Sequence, residues 1–250
     1  MQAGFVSKIL FKGKLEKYSY LNRIPVVQQL KQSGELSFHS NITFLVGENG
    51  TGKSTLLEAM AVACGFNPEG GTKNYMFSTK DTHSELHDHL TIVRRRHAKW
   101  GYFLRAESFY NTSTYLDKLT EKPKDEHELP SKFSGYGNKL MHVQSHGESF
   151  LHIIEHCFSS EGIYFLDEPE AALSVRHLFQ LMTTIHELAQ KGSQFIIATH
   201  SPILMSIPGS VVLELSNQGI CEIDYKETEH FQLSQQFYTD PERMLYYLFK

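Results

Sequence analysis

The run Gly47-Glu48-Asn49-Gly50-Thr51-Gly52-Lys53-Ser54 constrains this chain more than any other feature. It meets every fixed position of the G-x-x-x-x-G-K-[ST] phosphate-binding pattern. It follows a compact β-branched and aromatic run, Ile42 to Val46, and precedes a segment in which Leu56, Leu57, Met60, Ala61 and Cys64 recur at helical spacing before Gly65. A strand, a glycine-rich turn and a helix in that order converge backbone N–H groups on phosphate oxygens at a helix N-terminus. Gly47, Gly50 and Gly52 give the turn its conformational freedom, with Glu48, Asn49, Thr51 and Thr55 completing the nucleotide-binding set. Lys53 can reach the β- and γ-phosphates, and Ser54 can ligate Mg²⁺. No Asn-Lys-x-Asp guanine-reading segment occurs, since Asn138-Lys139 runs into Leu140-Met141, so ATP is the expected nucleotide.

Composition excludes several classes. A chain of 250 residues with 40% hydrophobic residues can build a substantial core, which rules out a disordered tail and a disulfide miniprotein. Cys64, Cys157 and Cys221 form no CxxC pair, so neither a zinc ribbon nor a disulfide framework is expected. The longest stretch without acidic or basic side chains, Gly192 to Leu213, is broken by Gln194, His200, Pro202 and Pro208, so no integral membrane segment is expected. The apolar run at Phe5 to Phe11 contains Lys8 and lacks a secretory core, which makes a cytoplasmic location the default. With 24 basic and 28 acidic residues, the net charge of −4 gives no global reason for nucleic-acid binding.

Alternation from Phe5 to Phe11 suggests an opening strand. Leu90 to Val93 and Tyr102 to Leu104, flanking Lys99-Trp100-Gly101, suggest a hairpin. Phe109 to Leu119 reads as a helix, and Thr120 to Lys139, with Pro123, Pro130, Gly135 and Gly137, as a polar loop or irregular insert. A helix from about Glu148 to Cys157, a strand at Ile163 to Leu166, a helix carrying Val175, Leu178, Met182, Ile185 and Ala189, and a strand at Phe195 to Ala198 follow. Val211 to Leu215 and Ile220 to Ile223 read as a terminal hairpin around Asn217-Gln218-Gly219. This alternation implies an α/β fold with a mostly parallel central sheet, an antiparallel part and a short helical insert, in one domain spanning residues 1–250.

The strand Ile163-Tyr164-Phe165-Leu166 ends in Asp167-Glu168-Pro169-Glu170. A strand-terminal Asp beside a phosphate loop can hold Mg²⁺, and the next residue can polarise an attacking water, which makes Asp167 the metal-shell candidate and Glu168 the candidate general base. Glu170 reads as an acid complementing the start of a helix.

At this point the chain resembles the ATP-binding-cassette superfamily of ATPases. That family places a Ser-x-Gly-Gln/Glu signature about two dozen residues before the acidic strand end and a switch histidine about thirty after it. Here Ser145-His146-Gly147-Glu148 begins 22 residues before Asp167, and His200 follows Glu168 by 32. The resemblance implies that Ser145, Gly147 and Glu148 contact the nucleotide held by an opposite copy in a head-to-tail homodimer. It implies that His200 senses the γ-phosphate, and that Ala171-Ala172-Leu173-Ser174 occupies the loop crossing the dimer axis. The signature departs from the transporter pattern at Gln144 and His146. The family's Q-loop glutamine has no clear match, and Glu107 is the candidate for its contact to Mg²⁺ or water. Tyr18, Tyr20 and Arg23 lie in the general region of the family's adenine-stacking aromatic.

In the wording of Phe44 to Ala59, Gly65-Phe66-Asn67, Phe103 to Phe109 and Thr199-His200-Ser201-Pro202, the chain is similar to small stand-alone bacterial ATPases labelled AAA-family. Their ATP sites resemble those of SMC, RecF and OLD-type enzymes. The 36 residues from Phe109 to Gln144 leave no room for a coiled-coil arm. Three readings stay open: a dimerising ATPase that drives or gates a protein effector or nucleic acid in DNA repair or phage defence, the nucleotide-binding subunit of a transporter, and a non-catalytic ATP-dependent switch. The intact Glu168 argues against the last, and the divergent Q-loop segment and the lack of a transporter-type signature argue against the second. Arg94-Arg95-Arg96-His97 with Lys99, Trp100 and Tyr102 combines charge and aromatics as a nucleic-acid contact would, although an exposed hairpin commonly carries such a run as a solvated face. His83, His87 and His89 with Asp88 are expected to be ordinary surface residues.

Overall fold

The computed structural model describes residues 4–72, 84–105, 153–155 and 157–250. Among the described residues seven strands form the central sheet. Four of them are β3 (Ile42–Val46), β4 (Gly71–Thr72), β6 (Trp100–Arg105) and β7 (Gly162–Asp167). The others are β8 (Gln194–Ala198), β9 (Val211–Ser216) and β10 (Gly219–Ile223). Their order across the sheet is β10-β9-β3-β8-β7-β6-β4. The five inner strands run parallel, and the two edge strands, β10 on β9 and β4 on β6, run antiparallel. A separate antiparallel sheet holds β1 (Val6–Phe11) between β2 (Glu35–Ser37) and β5 (Leu90–Arg94).

The pleat of β3 explains why both faces are covered, because successive side chains point to opposite sides. Leu45 joins a core with α1 (Pro25–Ser33), α2 (Lys53–Ala63) and β1, through Val27, Leu30, Leu56, Met60 and Ile9. Phe44 and Val46 join the opposite core with α3 (Val175–Gln190) and α4 (Pro202–Met205), through Leu178, Leu181, Ile185 and Leu204. All five residues of β3 and of β8 are buried, as expected for parallel strands covered on both faces. Residues 153–155 and 157 are helical, and Ile153 and Ile154 belong to the second core.

Two elements depart from the sequence reading. The segments Leu90 to Val93 and Tyr102 to Leu104 do not form a hairpin. β5 pairs with β1, registering Ile92 opposite Ile9, whereas β6 pairs with β7, registering Tyr102 opposite Tyr164. Near-continuous burial along β6 suits a strand inside the central sheet, between β7 and β4, and residues 95–99 carry the chain there from β5. The chain also ends in two helices that the periodicity left unassigned, α5 (Glu229–Thr239) and α6 (Pro241–Leu248). Neither helix contains a buried residue, so neither is covered by the core as α3 is.

The two sheets are tied by one polar side chain. Gln194, fully buried at the start of β8, accepts from the Val6 N–H at 2.7 Å and donates to the Val6 carbonyl at 2.9 Å, 188 residues away.

Candidate functional site

The site forms where β3, β8 and β7, adjacent in the sheet, reach their C-terminal ends, a position at which open α/β sheets commonly bind ligands. Out of β3 the chain enters the glycine turn and then α2. Gly47 (φ 137°) and Gly52 (φ 99°) both hold conformations that L side chains rarely adopt. A Cβ on Gly47 would collide with the Leu215 carbonyl, and one on Gly52 with Ile24 and Val26. The loop is therefore pressed between β9 and the start of α1, and Val26 N–H donates to Thr51 O at 3.2 Å. Thr51 braces the turn by donating its hydroxyl to Glu48 O at 2.9 Å. Gly50 and Asn49 lie on the turn, and Ser54 and Thr55 in the first turn of α2, where helical N–H groups have no carbonyl partner within the helix.

Lys53 is buried and folds back across the loop, donating to Gly47 O at 2.8 Å and Glu48 O at 3.0 Å. Burial lowers its pKa below the ordinary lysine value, while Glu168, Asp167 and Glu170 pull it back up. An ammonium carries three donors, and among the described residues the third has no partner, so a phosphate oxygen fits the chemistry of this cradle. Ser54 donates its hydroxyl to Asp167 Oδ1 at 2.9 Å. Two hard oxygens from α2 and β7 held at that spacing fit a Mg²⁺ ion, which takes few protein oxygens and keeps several waters.

Glu168, the residue after β7, sits in the left-handed region at φ 46° and ψ 52°, with its N–H donating to Ala198 O at 2.9 Å. Its carboxylate lies 3.6 Å from His200 Nε2. His200 Nδ1 in turn lies 2.8 Å from His230 Nε2, on α5. Burial lowers the His200 pKa below the ordinary histidine value, Lys53 and His230 push the same way, and Glu168 and Glu170 oppose them. Glu48, Asn49, Glu168, His200, Glu229 and His230 line a cavity of about 350 Å³.

Glu170 does more than begin a helix. Its Oε1 accepts from the Thr199 hydroxyl at 2.6 Å and from the His200 N–H at 2.7 Å, fixing the backbone of the residue that follows β8. The charge that complements a short helical turn also reaches across the sheet ends, which spacing along the sequence does not reveal.

The structure thus brings together Lys53, Ser54, Asp167, Glu168 and His200 with the phosphate loop. Glu107, Ser145, Gly147 and Glu148 lie outside the described residues, as does His83. Glu58 of α2 and Arg105 of β6, paired at 2.8 Å, were not singled out by any motif, and they lock the phosphate-loop helix to the sheet beside Asp167. Tyr20 and Arg23 bound a short helical turn leading into α1, next to Gly52. Two members of the basic run bond within the chain: Arg94 donates to Ala63 O at 3.1 Å, and Arg96 donates to Gly192 O at 2.6 Å and lies 4.1 Å from the Phe5 ring, whereas Arg95, His97, Lys99 and Trp100 are exposed. The run lies in the link between the two sheets, not on a hairpin. His87 bonds Ser84 O, and no group of three potential metal ligands occurs among the described residues.

Fold and site together define a P-loop ATPase domain. The chain belongs to the AAA domain family, whose model matches residues 27–180, more than half of its length. It is 26% identical over 220 residues to a macrolide export ATP-binding/permease protein of Hahella chejuensis, covering 77% of this chain and 32% of that protein. It is 24% identical over 216 residues to a hemin import ATP-binding protein of Idiomarina loihiensis, covering 80% of this chain and 82% of that one. The chain spans about a third of the length of the macrolide exporter and of the ribose import ATP-binding proteins it also matches. Among solved structures, an ATP-binding cassette of an ABC transporter superposes with a TM-score of 0.52 at 14% identity, covering 94% of this chain and 98% of that one, a likeness of fold. No helix among the described residues is long and apolar enough to cross a membrane.

Proposed function

We propose that this chain binds and hydrolyses Mg-ATP, that two copies close around two ATP molecules, and that this closure drives or gates a partner protein. The observation that supports hydrolysis best is the convergence of Lys53, the Ser54–Asp167 pair, Glu168 and His200 at the ends of three adjacent strands. Lys53 would exchange its loop carbonyls for β- and γ-phosphate oxygens. Ser54 and Asp167 would hold Mg²⁺, which, when bound, neutralises charge between the phosphates. The Glu168 carboxylate would accept a proton from the attacking water, and His200 Nε2 would donate to a γ-phosphate oxygen. Glu107 would contact Mg²⁺ or that water, and Ser145, Gly147 and Glu148 would serve the nucleotide of the opposite copy, as the cassette resemblance implies.

For the partner, the relatives named as import and export ATP-binding proteins favour a membrane transporter. A role in DNA repair or phage defence rests on the wording of the Glu-Asn-Gly and Thr-His-Ser-Pro segments alone. Arg94 and Arg96 bond backbone carbonyls within the chain while Arg94, Arg95 and Lys99 stay exposed, so the basic run does not decide for or against a nucleic-acid partner.

Nucleotide binding and phosphate release, measured on two variants, test the site. Lys53→Ala should lose ATP binding, whereas Glu168→Gln should bind ATP normally and turn over about 100-fold more slowly or worse. Undiminished hydrolysis by Glu168→Gln would remove it as the base.

A further inference from the structure

The sensor histidine faces the site through one ring nitrogen only, and its other nitrogen is occupied from outside the cassette motifs. His200 Nε2 points to Glu168, while His200 Nδ1 lies 2.8 Å from His230 Nε2. Between two imidazole nitrogens at that distance one must donate and the other accept, so a single proton lies between them. If His200 Nδ1 donates, a neutral His200 carries only a lone pair at Nε2 and cannot donate to phosphate. If His230 Nε2 donates, His200 Nε2 must carry the proton and becomes a donor toward the cavity it shares with Glu168. The second arrangement is the one a γ-phosphate sensor requires.

We infer that His230 is a positioning residue for ATP hydrolysis: by donating from Nε2 it fixes the tautomer and ring orientation of His200. This rests on the reading of His200 as a γ-phosphate donor. The helix bearing His230 is set for the task. Thr228, buried ahead of α5, accepts from Phe231 N–H at 3.3 Å and donates its hydroxyl to Tyr225 O at 2.6 Å, which anchors the turn that presents His230. From the opposite side Glu170 grips the His200 N–H at 2.7 Å, so backbone and ring are held by different elements. An outer partner on the remote nitrogen is the usual device by which proteins choose which nitrogen of a functional histidine carries the proton.

Steady-state ATPase kinetics on His200→Ala, His230→Ala, His230→Gln and the double alanine variant test this. His230→Ala should lower kcat about ten-fold with the KM for ATP changed less than about two-fold, since ground-state binding rests on the phosphate loop. His230→Gln, whose amide can still donate, should recover most of that loss. The double variant should be no slower than His200→Ala, because His230 acts only through His200. An unchanged kcat in His230→Ala beside a slow His200→Ala overturns the role of His230 alone, as does a glutamine variant as slow as the alanine one. A His200→Ala enzyme with normal kcat overturns the reading on which the proposal rests.

Discussion

Glu168 occupies a backbone conformation that side chains other than glycine, asparagine or aspartate seldom take, at a strain cost of about 1–3 kcal/mol. The strain is held by the N–H of Glu168 donating to Ala198 O, and it turns the carboxylate toward His200 instead of along β7. A second carboxylate, Glu170, serves that same histidine through its backbone. Glu170→Ala should free Thr199 and the His200 N–H together, lowering kcat about ten-fold while ATP binding persists, as measured by phosphate release and nucleotide titration. The lowered pKa of His200 has its own signature. Its folded-state pKa lies below 6.5, so as pH falls from about 6.5 toward that lower value the unfolded chain binds protons that the folded one does not. Stability should therefore decline with acidification across that window and level off below it. Thermal melts of His200→Gln should lack this component of the slope.

At the scale of elements, the strands and helices flanking the phosphate loop were legible because burial imposes a period. The short β-branched and aromatic run of β3, apolar but for Thr43, reads as a strand and the stripe of α3 as a helix. The partnership of β5 and β6 was not legible, since a short polar link between two apolar runs fits a hairpin and a switch between sheets equally well. The last two helices escaped for the opposite reason. Their capping signals, Thr228 ahead of Glu229 and Asp240 ahead of Pro241, are present, but their apolar residues stay exposed. Of the site, the motif residues were readable from the sequence, whereas Glu170's grip on Thr199 and His200, the Glu58–Arg105 pair and His230 depend on neighbours that only the folded sheet creates. Gln194 is a further case of chemistry visible only in three dimensions. Gln194→Ala strands the N–H and carbonyl of Val6 in a dry interface, and urea unfolding should show a loss of about 2–4 kcal/mol, large for one neutral side chain.

For the whole molecule, the proposed closure around nucleotide predicts an association that needs both ATP and an arrested base. Glu168→Gln should sediment as a dimer with Mg-ATP and as a monomer without it, and the same variant carrying Lys53→Ala should stay monomeric in both. A Glu168→Gln protein that remains monomeric with saturating ATP would sink the two-copy arrangement.

The seat of β3 has a consequence for how the chain is made. Its hydrogen-bonding partners, β8 on one side and β9 on the other, both lie in the last quarter of the sequence, and the tie from Gln194 to Val6 closes over 188 residues. During synthesis the phosphate loop leaves the ribosome well before β8 and β9, flanked by a mostly apolar strand with both edges unpaired. Such late-closing parallel pairing is slow and prone to aggregation. A nascent chain arrested before β8 should therefore be protease-sensitive and bound by chaperones, and should acquire ATP binding only once β9 has emerged.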